Sequence, residues 1–252
     1  MTDLHVLILG GTAEARALAD RLAGRPDLRV TLSLAGRTRD PARPACAVRI
    51  GGFGGADGLA AWLAAEGVGA LVDATHPFAR TITANARAAA GAAGVRLIAV
   101  ARPRWTPLPG DRWTAVPDMP AAARALGDTP RRVFLAIGRQ EVAAFRAAPQ
   151  HRYLVRSVEP ADPADLPPGA DTLLARGPFA APDERALLER HRIEVVVGKN
   201  SGGDASYGKI AAARGLGLPV VMVDRPPGEG LTPDAAIAEL DHLAGLAAKR
   251  GV

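Results

Sequence analysis

The stretch Leu4-His5-Val6-Leu7-Ile8-Leu9-Gly10-Gly11-Thr12-Ala13-Glu14-Ala15-Arg16 decides the fold. Five of the six residues from Leu4 to Leu9 are apolar, the pattern of a parallel strand buried on both faces. Two glycines and Thr12 follow without a linker. A helix is expected from Ala13–Glu14, with Thr12 as its N-cap. Strand, tight glycine turn and helix N-terminus together make a phosphate-holding device. The glycines let backbone N–H groups approach an anion, and the helix end adds unpaired donors and partial positive charge. The same turn also serves simply to reverse the chain. The full G-x-G-x-x-G pattern is absent, because Gly10 and Gly11 are adjacent and Ala15 stands where a third glycine would fall. Taken alone, the stretch suits a nucleotide site and a plain α/β turn alike.

Outward from this stretch, strand and helix patterns alternate along the chain, the signature of a doubly wound α/β fold. A helix is expected over residues 13–24 and a strand over 29–35. Dinucleotide folds read the adenosine ribose at the end of that second strand, where an acid favours NAD and Arg favours NADP. Ser33, Gly36, Arg37 and Arg39 lie there, with no acid before Asp40, so a dinucleotide is expected to be NADP(H). The other reading of Arg37 is a solvated loop charge. A short strand at 47–50 ends in Gly51-Gly52-Phe53-Gly54-Gly55. These glycines let backbone lie against a flat ligand, or form a flexible loop. A helix is expected at 57–66 and a central strand at 69–73. That strand ends in Asp73-Ala74-Thr75-His76-Pro77-Phe78-Ala79, a polar run facing the crevice where open sheets bind ligands. A helix to about residue 93 and a strand at 95–101 complete residues 1–101, read as an N-terminal domain.

Residues 102–112 include RPRWTPLPG, with three prolines and no period, and read as a linker. Its Arg102, Arg104 and Trp105 are placed to overhang a cleft, although Trp105 and Trp113 equally suit packing. Residues 113–252 read as a second α/β domain. Its strands are expected near 131–137, 153–157, 171–176, 193–198 and 218–224, and its helices at 141–148, 183–191, 205–215 and 232–250. Residues 159–169, dense in Pro and acids, read as a surface loop.

The chain has 252 residues, enough for one large or two small α/β domains. It is 48% hydrophobic but 4% aromatic, so its core must be Ala, Leu and Val. The single cysteine, Cys46, cannot form an internal disulfide, which suits a reducing compartment. Leu4–Leu9 runs into glycines rather than a cleavage site, and no apolar run is long enough to span a bilayer. The expectation is a cytoplasmic protein with no membrane partner. The net charge is +5, and only three of the 31 basic residues are Lys. An Arg surplus suits a polyanionic ligand, whose carboxylates the guanidinium fork matches, or simply a GC-rich genome. The basic residues are scattered and not interleaved with aromatics, so no nucleic acid is expected.

Lys199-Asn200-Ser201-Gly202-Gly203 follows an apolar run and precedes a helix. It offers ammonium, amide and hydroxyl donors to anionic oxygens at one strand end. Arg139, Arg156 and Arg176 fall at or near other strand ends of the same domain. In a parallel sheet they converge on one face, as a substrate with several carboxylates would require; singly, each is a surface charge. His76 is a candidate general acid or a residue that shapes its own turn. Asp73 is the only potential ligand near it in sequence, so no metal is expected. Neither G-x-S-x-G nor a Walker motif is present.

ILGGT-x-EAR at Ile8–Arg16, DATHPFA at Asp73–Ala79, GR at Gly138–Arg139, ARGPF at Ala175–Phe179, KNSGG at Lys199–Gly203 and LPVVMVDRP at Leu218–Pro226 together resemble the precorrin-6A reductase family of cobalamin biosynthesis. The resemblance runs in order over essentially the whole chain. It implies two Rossmann-like parallel-sheet domains with a ligand cleft between them. It implies NADPH-dependent reduction of one double bond in the precorrin-6A macrocycle, or in its cobalt-containing variant, giving precorrin-6B. Carried over position by position, Gly10, Gly11, Thr12 and Glu14 would hold the cofactor, with Ser33, Gly36 and Arg37 near its adenosine end and Gly52 beside it. Asp73, Thr75 and His76 would line the middle, and Lys199, Ser201, Gly202 and Gly203 would face the tetrapyrrole. His76, Tyr207, Lys209 and bulk water are the candidate proton donors. The residues also admit a non-catalytic nucleotide- or tetrapyrrole-binding module and an NADP-dependent reductase of a smaller anionic substrate. The sequence sets no oligomeric state.

Overall fold

The computed structural model describes residues 3–36, 44–225 and 230–250. They fall into two compact units, Met1–Arg102 with Pro227–Val252, and Pro103–Pro226. Arg37 and Arg39 lie outside the described residues.

The first unit is built on β1 (Leu4–Leu9), with α1 (Ala13–Leu22), β2 (Leu28–Leu34), β3 (Ala47–Ile50), α2 (Ala56–Ala65), β4 (Ala70–Asp73), α3 (Arg80–Ala93) and β5 (Arg96–Ala99). The strands form a wholly parallel sheet in the order β3-β2-β1-β4-β5. All six residues of β1 are buried. Leu4, Val6 and Ile8 join the core on the α1 side, while Leu7 and Leu9 join the core under α2 and α3. A strand buried on both faces is apolar at nearly every position; the one exception, buried His5, has both ring nitrogens hydrogen-bonded, with Glu66 O and Thr31 Oγ1. Each apolar side chain contributes about 1.5–3 kcal/mol by leaving water.

The second unit contains β6 (Arg112–Val116), α4 (Met119–Ala125), β7 (Arg132–Ala136), a 3₁₀ segment (Arg139–Ala147), β8 (Arg152–Ser157), β9 (Asp171–Leu174), α5 (Ala181–Arg190), β10 (Val195–Lys199), α6 (Gly208–Gly215) and β11 (Pro219–Val223). Its sheet is also wholly parallel, in the order β6-β11-β10-β7-β8-β9. Phe134, Leu154 and Val196 pack under Leu188 of α5 and Ile210 of α6.

Three expectations are corrected. Strand β6 and helix α4 stand where the sequence pattern suggested no element before residue 131. β6 reads RWTAV with one buried residue, an edge strand without a hydrophobic signature, and α4 is mostly alanine. Its start was nevertheless encoded, because Asp118 caps it by accepting from Ala121 N at 2.7 Å, with a proline in the first turn. Residues 139–147 wind as 3₁₀ rather than α helix. The last helix, α7 (Pro233–Arg250), belongs to the first unit, so 113–252 is not one domain. Its Ala236, Leu240 and Ala244, one helical face, enter the core beside α1 and β1. The chain returns there by pairing Leu231 with Ala99 and Ala101, through backbone bonds of 2.8 and 3.0 Å. Gly230 makes that approach possible, because a Cβ on it would lie 2.7 Å from Ala101 Cβ.

Leu240→Ala therefore removes a fully buried side chain from the first unit's core. The expected loss is about 2–5 kcal/mol of stability, read as a lower urea midpoint. An unchanged midpoint would mean that α7 does not complete this core.

Candidate functional site

In each sheet the winding direction reverses once, between β1 and β4 in the first unit and between β7 and β10 in the second. At such a reversal the crossover helices leave the carboxyl edge open, and ligands bind there. The chemistry-bearing residues gather at these two edges, which are described in turn.

At the first edge, β1 ends in Gly10, whose N–H donates to Ser33 O at 2.9 Å. A Cβ on Gly10 would lie 2.6 Å from Leu32 Cδ1, so any larger residue here must displace the Leu32 side chain. Gly11 has φ +112°, a conformation that side chains avoid. Thr12 then caps α1, its Oγ1 accepting from Ala15 N at 3.0 Å. The same hydroxyl donates to Ala74 O at 3.0 Å and so ties the turn after β1 to the end of β4. Helix α1 makes its first main-chain bond from Arg16 N to Thr12 O, which leaves the Ala13 and Glu14 amides as first-turn donors. Glu14 lies 2.7 Å from Arg102, both half-buried or better. Burial pushes the Arg102 guanidinium down in pKa and Glu14 pulls it up. A carboxylate only accepts, so Glu14 suits a hydroxyl rather than a phosphate.

The edge continues through buried Ser33 and through Gly36, at φ +71°, on the β2 side. The glycine loop after β3 is not slack. Arg49 donates to Gly51 O at 2.6 Å and to Gly52 O at 2.8 Å, and its guanidinium lies 3.7 Å from the Phe53 ring centroid. Sequence reasoning passed over Arg49, an arginine stapling its own loop. In the middle, Asp73 Oδ1 accepts from Thr75 N (3.1 Å) and Thr75 Oγ1 (2.6 Å), fixing the turn after β4. His76 Nδ1 accepts from Phe78 N at 3.3 Å, which puts the neutral ring's proton on Nε2. The structure thus brings Gly10, Gly11, Thr12, Glu14, Ser33, Gly36, Gly52, Asp73, Thr75 and His76 to one sheet edge.

At the second edge, Lys199 at the end of β10 lies 2.5 Å from Glu141, on the 3₁₀ segment after β7. Buried Asn200 pairs twice with the Trp105 backbone, accepting from Trp105 N at 2.9 Å and donating to Trp105 O at 3.0 Å. Trp105 Nε1 donates to Gly203 O at 2.9 Å. Ser201 and Gly202 are buried, and Gly202 and Gly203 both take positive φ. Arg139 is exposed and donates to Pro160 O at 3.1 Å, and Arg176 is exposed after β9.

The expected convergence of three arginines is corrected at Arg156. This residue is buried inside the unit, ion-paired with buried Glu184, with its guanidinium 3.7 Å from the Phe179 ring centroid and 4.9 Å from that of Phe134. It is an internal cation. Lys209, 3% exposed, shares that interior; its ammonium donates to Ser206 O at 2.6 Å and lies 4.9 Å from the Trp105 ring. Tyr207 accepts from Arg214 at 2.9 Å through its hydroxyl and packs edge-on against Trp105. Lys209 is enclosed, whereas Tyr207 is half-buried. Among the described residues no group of three metal-ligating side chains occurs, and no helix is long and apolar enough to cross a membrane.

Burial, then neighbouring Arg156, push Lys209 down to about 7, against a pull upward from Glu184. The unfolded chain then binds a proton that the folded one has lost, so stability rises with pH above about 7. The rise ends near pH 10, where buried Tyr153, held protonated in the fold, begins to ionise on unfolding. Between about pH 7 and pH 9 the wild type should gain about 2 kcal/mol relative to Lys209→Met, measured by urea unfolding; parallel pH profiles would contradict the buried ammonium.

Comparison with known proteins agrees with the resemblance noted above. The family described as Precorrin-6x reductase CbiJ/CobK matches residues 5–245. A precorrin-6A reductase of a Sinorhizobium species is 59% identical over 225 residues, covering 89% of this chain and 86% of that protein. One from Rhodococcus erythropolis is 52% identical, covering 97% and 96%. The solved structure titled CobK precorrin-6A reductase superposes with a TM-score of 0.88 at 46% identity, covering 95% of this chain and 97% of that one. The chain therefore belongs to the precorrin-6x reductase family.

Proposed function

We propose that this chain reduces one double bond of the precorrin-6A macrocycle with NADPH, giving precorrin-6B. The observation that carries the reading is the edge between β1 and β4. Gly10 packs against Leu32, Gly11 at φ +112° has open space where a Cβ would stand, and the first turn of α1 adds backbone donors beside it. These residues fit a pyrophosphate, which needs backbone donors and room rather than side chains. The metal-free ring is preferred because the relatives at 59% and 52% identity carry that name. The lone Cys46 suits a reducing cytoplasm.

In this reading NADPH supplies the hydride, and the chain supplies position, charge and a proton. Gly10, Gly11, Thr12 and the α1 amides hold the pyrophosphate. Ser33, Gly36 and Gly52 lie toward the adenosine end, and Arg37 meets the 2′-phosphate. Asp73 and Thr75 fix the turn that carries His76. Lys199, Ser201, Gly202 and Gly203 face the substrate carboxylates, and exposed Arg139 and Arg176 add charge beside them. Of the three proton-donor candidates, Lys209 is too buried to meet a macrocycle, while Tyr207 is half-buried and accepts from Arg214 through its oxygen, keeping its own proton. His76, at the first sheet edge, is the favoured donor, with Tyr207 and water as its competitors.

The test is NADPH oxidation on addition of precorrin-6A to the purified protein; binding of both without turnover would overturn the reading. Arg37→Ala should weaken NADPH about tenfold or more while sparing NADH; equal losses would remove Arg37 from the 2′-phosphate. Lys199→Ala should raise the substrate KM about tenfold with NADPH affinity kept, whereas an effect confined to NADPH would move Lys199 to the cofactor.

A further inference from the structure

We infer that Trp105 and Asn200 are positioning residues that hold the loop 199–203 in the shape its substrate contacts require. The inference rests on reading that loop as the substrate side.

The loop leaves β10 and must turn sharply before α6. Two consecutive glycines at positive φ, Gly202 at +67° and Gly203 at +72°, allow the turn but do not select it. Selection comes from outside the loop. The Asn200 side chain is 5% exposed and spends both its acceptor and a donor on one residue, Trp105. That pairing mimics a rung of sheet, with the side-chain amide standing in for a strand. Trp105 closes the ring by donating its indole N–H to Gly203 O, so three bonds tie one residue to both ends of a four-residue turn. The indole is seated in turn, edge-on to Tyr207 and below the Lys209 ammonium. Packing alone requires none of this polarity, because an apolar ring and an apolar side chain fill the same space without unmet donors. The bonds define a conformation, and the conformation defines where Lys199 and the loop amides point.

Trp105→Phe keeps an aromatic ring beside Tyr207 and Lys209 and removes the N–H together with part of the indole's packing. It should raise the KM for precorrin-6A about tenfold, the loss expected from one buried hydrogen bond, with kcat and NADPH affinity nearly unchanged and the melting midpoint lowered by the lost packing. Asn200→Ala should raise KM further. Should Asn200→Ala fail to fold, Trp105→Phe decides alone. A lower melting midpoint with an unchanged KM would make the clamp purely structural and overturn the inference. Lys199→Ala is the control for the parent reading. If it leaves KM unchanged, the loop's assignment fails; if it raises KM while Trp105→Phe is silent, the clamp alone fails.

Discussion

In a parallel sheet every return to the next strand is a crossover, and the rest of this molecule follows from that constraint. Successive crossovers that wind one way cover the sheet with helices. Where the winding reverses, the carboxyl edge is left open. The protein has two such reversals, β1 against β4 and β7 against β10, and it ties each with a side chain. Thr12 reaches across the first to Ala74 O, and Lys199 reaches across the second to Glu141. The first tie is a short neutral bond that fixes backbone donors in place. The second is a partly exposed ion pair.

The arginine surplus finds a physical explanation that composition did not provide. Several arginines are internal fasteners: Arg49 staples the glycine loop after β3, Arg102 holds Glu14, and Arg156 pairs with Glu184 between two phenylalanines. Others, such as Arg139 and Arg176, are left at the surface.

What the residues made legible was whatever has a local signature. β1 is apolar at nearly every position and is followed by glycines, so strand, turn and helix were readable, as was the donor-rich loop after β10. The edge strand β6 has no such signature, because an edge strand needs only one covered face. The place of α7 could not be read locally either, since an alanine-rich amphipathic helix fits any apolar face and the choice is made by Leu231 pairing beside β5. The inward turn of Arg156 depends on Glu184, 28 residues away, and the clamp on loop 199–203 depends on Trp105, 95 residues away. Periodicity carries no information about such partners.

The central claim is that the first unit's glycine turn delivers a hydride donor to the macrocycle. The most direct measurement uses NADPH carrying deuterium at its transferable position, mixed with precorrin-6A and this protein, with the product weighed by mass spectrometry. The account predicts a reduced ring that has gained one deuterium from the cofactor and one hydrogen from solvent. A reduced ring with no deuterium, or unreduced ring beside bound NADPH, would contradict it.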